Sequence, residues 1–224
     1  MNYKIAEIFE SINGEGRNAG QLAVFIRFAG CNLDCPYCDT KWANDVFNNR
    51  KLEIYNSQEV YSRIKQSGIN LVTITGGEPL IQPEITDLLQ LLSGDLGLGV
   101  EIETNGSADI SIIDSIKKNR PSLTMDYKLP SSGMEGFMLV NNLTLLNQQD
   151  TVKFVVRTKY DLIRSWQILN EYDLLKRCAV YLSPVYGKLE PPEIVEFMKE
   201  KKLNGVRLQL QLHKHIWGVN ERGV

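Results

Sequence analysis

The stretch Cys31-Asn32-Leu33-Asp34-Cys35-Pro36-Tyr37-Cys38 carries the densest chemistry in the chain. Its three cysteines, spaced C-x3-C-x2-C, follow an apolar run from Ala23 to Gly30. Thiolate sulfur is a soft ligand that suits iron–sulfur clusters, zinc or copper(I). Three thiolates on one short loop can grip three irons of a cubic 4Fe–4S cluster and leave the fourth without a protein ligand. A cluster that only transfers electrons normally takes four cysteines, so an open iron implies that something else binds there. A structural zinc site would need a fourth ligand, usually from a second C-x2-C or H-x3-H pair. Beyond the loop the chain offers only Cys178, His213 and His215. Asn32, Asp34 and Pro36 are loop residues, which argues against three packed core thiols.

The elements around this loop can be read from periodicity. Lys4 to Ile12 reads as a strand, and Asn13-Gly14 is a turn dipeptide that leads into a second strand, Gln21 to Phe28. Gly14, Gly16 and Ala19 match G-x-G-x-x-A, but a strand follows where a dinucleotide fingerprint requires a helix. Arg27 interrupts the apolar run of the second strand, and a charge there needs a partner: a structural carboxylate such as Glu15, or an anionic ligand. Asp39 to Asn56, with Trp42, Asp45, Asn48 and Asn49, reads as an irregular polar loop or lid. Helices are predicted over Ser57–Gln66, from a start with Pro83 at or near the first turn (Ile85, Leu88, Leu89 and Leu92 inward), and over Ile110–Lys118. Two more are predicted, one carrying Leu162, Ile163, Trp166 and Leu169, the other over Pro192–Lys202. Strands are predicted at Leu71–Thr75, Val100–Thr104, Leu123–Asp126, Thr151–Val156, Cys178–Leu182 and Val206–Leu212. His213 and His215 read as alternating on one strand just beyond the last of these, a surface pair sooner than zinc ligands. Strand alternating with helix argues a parallel α/β sheet, and no linker divides it, so residues 1–224 read as one domain.

The 224 residues carry 25 basic and 27 acidic side chains, a formal net charge of −2. No basic field argues for a nucleic-acid partner. No signal-peptide h-region and no membrane-length apolar run appear, so no membrane partner is expected. Closely spaced free thiols then point to a reducing cytoplasm.

Unusual polar groups follow the strands: the cysteines, then Gly76-Gly77-Glu78, Glu103-Thr104-Asn105, Asp126 to Lys128, and Ser183. In parallel α/β barrels ligands bind at the carboxyl ends of the strands. Cys178 begins its strand and belongs at the opposite end, as a small core hydrophobe. The cysteine spacing together with Gly76-Gly77-Glu78-Pro79 closely resembles the radical S-adenosylmethionine (SAM) superfamily. Several further segments narrow the match: Glu10 to Gly16, Phe25-Ile26-Arg27, Gly30 to Cys35, Cys38-Asp39-Thr40, Asp126-Tyr127-Lys128, Pro130 to Gly133, and Gln211 to Lys214. Together they resemble the 7-carboxy-7-deazaguanine synthase family over about Ile8 to Lys214. Asn13 departs from that pattern, where glutamine is the commoner amide, and 41–56 matches no part of it.

The resemblance implies an incomplete parallel β/α barrel of about six strands with N- and C-terminal strand extensions. It implies a carbon–nitrogen lyase that turns 6-carboxy-5,6,7,8-tetrahydropterin into 7-carboxy-7-deazaguanine with loss of ammonia, a precursor for queuosine and other 7-deazapurines. Cys31, Cys35 and Cys38 would hold the 4Fe–4S cluster, and Thr40 a magnesium ion, although Thr40 also reads as a turn hydroxyl. SAM would meet Tyr37, Cys38, Asp39, Gly76, Gly77, Glu78, Glu103, Asn105, Asp126, Tyr127, Lys128, Ser183 and Pro184. The pterin would meet Ile12, Asn13, Gly14, Glu15, Arg27, Thr75, Gln211 and His213. A flavodoxin- or ferredoxin-like reductant and a homodimer are also implied. The rivals are a glycyl-radical-enzyme activase, which shares the cysteine loop but needs a protein substrate, and a non-enzymatic metal-stabilised module.

Overall fold

The computed structural model describes residues 2–44, 52–219 and 221–224. Nine strands form one sheet: β1 (Asn2–Ile12), β2 (Leu22–Phe28), β3 (Glu53–Asn56), β4 (Leu71–Gly76), β5 (Gly99–Thr104), β6 (Ser122–Tyr127), β7 (Thr151–Val156), β8 (Ala179–Pro184) and β9 (Val206–Leu208). Their order is β3-β1-β2-β4-β5-β6-β7-β8-β9. From β2 through β9 every ladder is parallel, and β1 lies antiparallel to both β2 and β3. The parallel run therefore has seven strands, with β1 and β3 as the N-terminal extension.

The sheet curls without closing. Side chains of successive strand residues point to opposite faces, and the two faces here differ in kind. Val24, Ile26, Phe28, Val72, Ile74 and Ile102 pack against Ile64, Leu88, Leu89 and Leu92 in one buried apolar core. The opposite, concave face carries Arg27, Thr73, Thr75, Glu101, Glu103, Thr124, Asp126, Lys153 and Ser183. The β1–β2 turn folds into that concavity and reaches the far end of the sheet. Gln209, just past β9, accepts from Gly16 N at 2.8 Å and donates to Gly16 O at 3.0 Å. Leu212 N donates to Gly14 O at 3.1 Å.

Helix ends obey the local signals. Asn56 and Glu59 form a capping box for the helix Ser57–Ser67, which Gly68 closes at φ 72°. Thr158 and Asp161 do the same for Lys159–Glu171, where Ile168 is buried while Ile163 faces solvent. Three expectations need correction. The segment 110–118 is a 3-10 turn, Ile110–Ser115, N-capped by Asp109; its isoleucine- and serine-rich run has weak helix propensity. The last strand stops at Leu208, and Leu212–Ile216 is a short helix, so His213 and His215 do not alternate on a strand. Within the expected polar loop, Lys41–Asn44 is a helical turn and Glu53–Asn56 is β3. Residues 45–51, with Asp45, Asn48 and Asn49, lie outside the described residues. Pro79–Ile81 forms a 3-10 turn before the helix Ile85–Gly94. No helix among the described residues is long and apolar enough to cross a membrane.

Candidate active site

The cysteine loop leaves β2 at the carboxyl edge of the parallel strands. Cys35 is buried, and Cys31 and Cys38 are half-buried. Burial pushes the Cys31 and Cys35 thiols above their ordinary pKa, with the Lys128 ammonium opposing the shift at Cys35. An iron would remove those protons outright, since the ligand is the thiolate. No three His, Cys, Asp or Glu side chains among the described residues close round a single ion. A cubane differs from such a site because each thiolate takes a separate iron. The donor set therefore fits the cluster.

Gly76 and Gly77 anchor this loop. A Cβ on Gly76 would lie 2.3 Å from Phe28 O, and one on Gly77 would lie 1.9 Å from Gly30 O. Backbone bonds fill that contact: Gly77 N to Phe28 O at 3.1 Å and Glu78 N to Gly30 O at 3.0 Å. The glycines thus let the end of β4 touch the chain that leads into the cysteines. The Glu78 side chain is fully buried and faces no opening. Its Oε1 accepts from Leu80 N at 3.0 Å and Thr104 Oγ1 at 2.8 Å, and its Oε2 accepts from Asn105 N at 2.6 Å. Burial pushes its carboxyl up to about 7 despite those donors. Those bonds commit the Glu78 side chain to the end of β5 and to its own turn.

A chain of alternating charge crosses the concavity. Lys153 Nζ lies 2.9 Å from Glu15 Oε2 and 3.0 Å from Asp126 Oδ1, and Asp126 Oδ2 meets Lys128 Nζ at 3.1 Å. Burial works against the Lys153 charge, but Asp126, Glu15 and Glu103 outweigh it and hold its pKa well above the ordinary lysine value. Burial likewise opposes the Asp126 charge, and the two lysines still hold that carboxyl low. Glu15 also accepts from Ser183 Oγ and Gln211 Nε2, both at 3.1 Å. Lys214 Nζ continues the chain to Gln211 Oε1 at 2.5 Å and to Asp39 at 3.2 Å. Glu103 accepts from Thr75 Oγ1 at 2.6 Å, and burial pushes it up to about 7.

The structure brings most of the expected site residues together and turns others aside. Asn13 is 1% exposed; its Oδ1 accepts from Thr73 Oγ1 at 2.8 Å, while its Nδ2 has no partner. A buried unpaired donor is costly, so it marks a place for a ligand acceptor. Ile12 ends β1 beside it, and Gly14 leaves room for His213, whose Nδ1 would lie 2.4 Å from a Cβ there. Burial pushes the His213 imidazole below its ordinary pKa. Arg27 faces the concavity beside Thr75, yet its Nε bonds Glu7 Oε1 at 2.8 Å and its guanidinium lies over Phe9. Glu15, the structural partner considered for it, is engaged with Lys153 instead. The Tyr127 ring is turned away into the core against Phe154, and burial pushes its phenol up to about 12. Ser183 was expected on the SAM side and instead bonds Glu15, while Pro184 closes β8 beside it. Tyr37 is half-buried, and Thr40 Oγ1 sits 3.5 Å from Cys38 Sγ. Cys178 is buried just before β8, far from the cysteine loop in the strand order, and burial pushes its thiol up to about 12.

Sequence reasoning missed Lys153, Thr73 and Gln209. Lys153 interrupts the apolar strand Thr151-Val152-Lys153-Phe154-Val155-Val156 just as Arg27 interrupts β2. The same rule for buried charge would have found it.

Known proteins resemble the chain in sequence and in fold. The Radical SAM superfamily profile matches residues 25–131. A protein named 7-carboxy-7-deazaguanine synthase from Clostridium acetobutylicum is 54% identical over the full length of both chains. Another of that name from Chlorobaculum tepidum is 36% identical over 98% of this chain and 96% of its own. The crystal structure of QueE from Escherichia coli superposes with a TM-score of 0.76 at 26% identity, covering 95% of each chain.

Proposed function

The chain belongs to the 7-carboxy-7-deazaguanine synthase family of radical SAM enzymes, and from that premise we propose how its residues divide the work. The reaction is the conversion of 6-carboxy-5,6,7,8-tetrahydropterin to 7-carboxy-7-deazaguanine with loss of ammonia. When bound, the reduced cluster and SAM supply the hydrogen abstraction that starts the ring contraction; the protein binds, orients and excludes water.

Cys31, Cys35 and Cys38, once deprotonated, would each hold one iron of the cluster. The strand ends at Gly76-Gly77, Glu103-Asn105 and Asp126-Lys128, with Tyr37 and Asp39, form the SAM side of the cavity. The pterin side is Ile12 to Glu15, Arg27, Thr75, Gln211 and His213. The single observation that carries this division is the buried, unpartnered Nδ2 of Asn13. It offers a ring heterocycle one fixed donor, held in place by the Thr73 bond to its own Oδ1. The Arg27 bond to Glu7 uses Nε–H, one of five guanidinium donors, so the terminal nitrogens can meet the pterin carboxylate as a fork. Thr40 would supply one oxygen to magnesium, an ion that commonly takes only one or two protein ligands and fills its shell with substrate oxygens and water.

The proposal extends to a homodimer, a flavodoxin- or ferredoxin-like electron donor and a cytoplasmic setting, where four free thiols stay reduced. The unbroken sheet from β3 to β9 supports one folding unit. The test is to incubate the anaerobically reconstituted protein with the tetrahydropterin, SAM and dithionite and read the product mass. A mass equal to the pterin less ammonia is expected. SAM cleavage without that product would refute the substrate assignment.

A further inference from the structure

We propose that Asn105 tunes the cluster: its side-chain amide donates an N–H···S bond to the Cys31 thiolate and raises the cluster's reduction potential. The inference rests on the reading that Cys31, Cys35 and Cys38 hold a 4Fe–4S cluster.

The orientation of the amide carries the argument. Asn105 Oδ1 accepts from Ser107 N at 2.9 Å and from Ser107 Oγ at 2.6 Å. A backbone N–H can only donate, so that end of the amide must be its oxygen. The opposite end is therefore the NH2 group, and it faces two acceptors: Asn32 Oδ1 at 3.1 Å and Cys31 Sγ at 3.5 Å. The backbone beneath is pinned as well, because Asn105 N donates to the buried Glu78 carboxylate at 2.6 Å. Asn32 Nδ2 closes the circuit to Ser107 Oγ at 2.8 Å. Leu33 N is a second donor to Cys31 Sγ, at 3.4 Å. The Asn105 bond is thus one that a side-chain substitution can remove while the backbone donor stays.

Reduction adds one electron, and its charge spreads over the cluster and its thiolate sulfurs. A donor fixed against one sulfur stabilises the reduced state more than the oxidised one, so the potential rises. Removing the donor makes the cluster harder to reduce. The electron comes from the external donor, and no bond in the protein forms or breaks.

The experiment is an equilibrium redox titration of the reconstituted full-length protein without SAM or pterin, read by electron paramagnetic resonance of the reduced cluster. With SAM absent, any part Asn105 plays in binding SAM cannot move the result. Asn105→Leu, similar in size but without a donor, should have a lower midpoint than wild type. A roughly tenfold fall in the reduced-to-oxidised ratio at a fixed potential, about 59 mV for a one-electron couple, is the expected scale. If the leucine variant loads no cluster, Asn105→Ala decides, since it removes the donor without adding bulk or charge beside Cys31. An unchanged midpoint, or failure of both variants to load, overturns the tuning role. Absence of a cubane signal in the wild-type protein itself would instead sink the cluster reading, and this inference with it.

Discussion

Lys153 offers the sharpest test of the charge chain. Its ammonium has 8% side-chain exposure and lies 2.9 Å from Glu15 and 3.0 Å from Asp126. Its pKa stands well above the ordinary value, so it stays charged across the whole working pH range. Lys153→Met keeps the length of the side chain and leaves two carboxylates in the concavity without their shared cation. Removing one partner of a buried ion pair costs about 3–5 kcal/mol, whereas a solvated pair is worth only about 0–1 kcal/mol. At roughly 2–4 °C per kcal/mol for a chain of this size, the melting temperature should fall by about 6–20 °C. Lys153→Met combined with Glu15→Gln removes one stranded charge and should recover part of that loss. The assay is a pair of thermal melts on the apoprotein, with urea unfolding as a second measure. A single variant that melts within about 2 °C of wild type would show that water reaches the pair, and the buried-cation argument would then be wrong.

Cys31→Ala, Cys35→Ala and Cys38→Ala should each abolish cubane iron and SAM cleavage, while Cys178→Ala keeps both, as iron analysis and cleavage assays will read. Arg27→Lys should weaken pterin binding about tenfold by calorimetry, the loss expected for a charged hydrogen bond of roughly 1.5–3 kcal/mol. A large melting loss with unchanged pterin affinity would make the Glu7 pair its whole role. Magnesium should raise turnover and Thr40→Val should blunt that response; turnover unaffected by thorough chelation would refute the ion. Burial raises the Glu103 pKa from 4.5 to about 7, so its stabilising contribution is fully present below 4.5 and is lost as pH rises through about 7. Glu103→Gln should flatten the melting profile over that window, and an unchanged slope would place the titration elsewhere.

What was legible in the chain alone is what eight or ten consecutive residues can encode. The C-x3-C-x2-C loop is local chemistry, and so are the Asn13-Gly14 turn, the helical spacing from Ser57 and the period of the strands. These follow from turn geometry and from which face of a segment is apolar. The resemblance carried the order of the site motifs further, because they all hang from strand ends of one parallel sheet. The partners could not be read that way. Glu15 pairs with Lys153 across 138 residues, and Gln209 brackets Gly16 across 193. Arg27 finds Glu7 because β1 and β2 set those two residues opposite each other. Tyr127 faces the core and Asp126 the cavity, a choice made by the register of β6 between β5 and β7. Such choices belong to the curl of the sheet. It decides which buried charges meet in a medium that scarcely screens them, and no local pattern of residue types contains that distance.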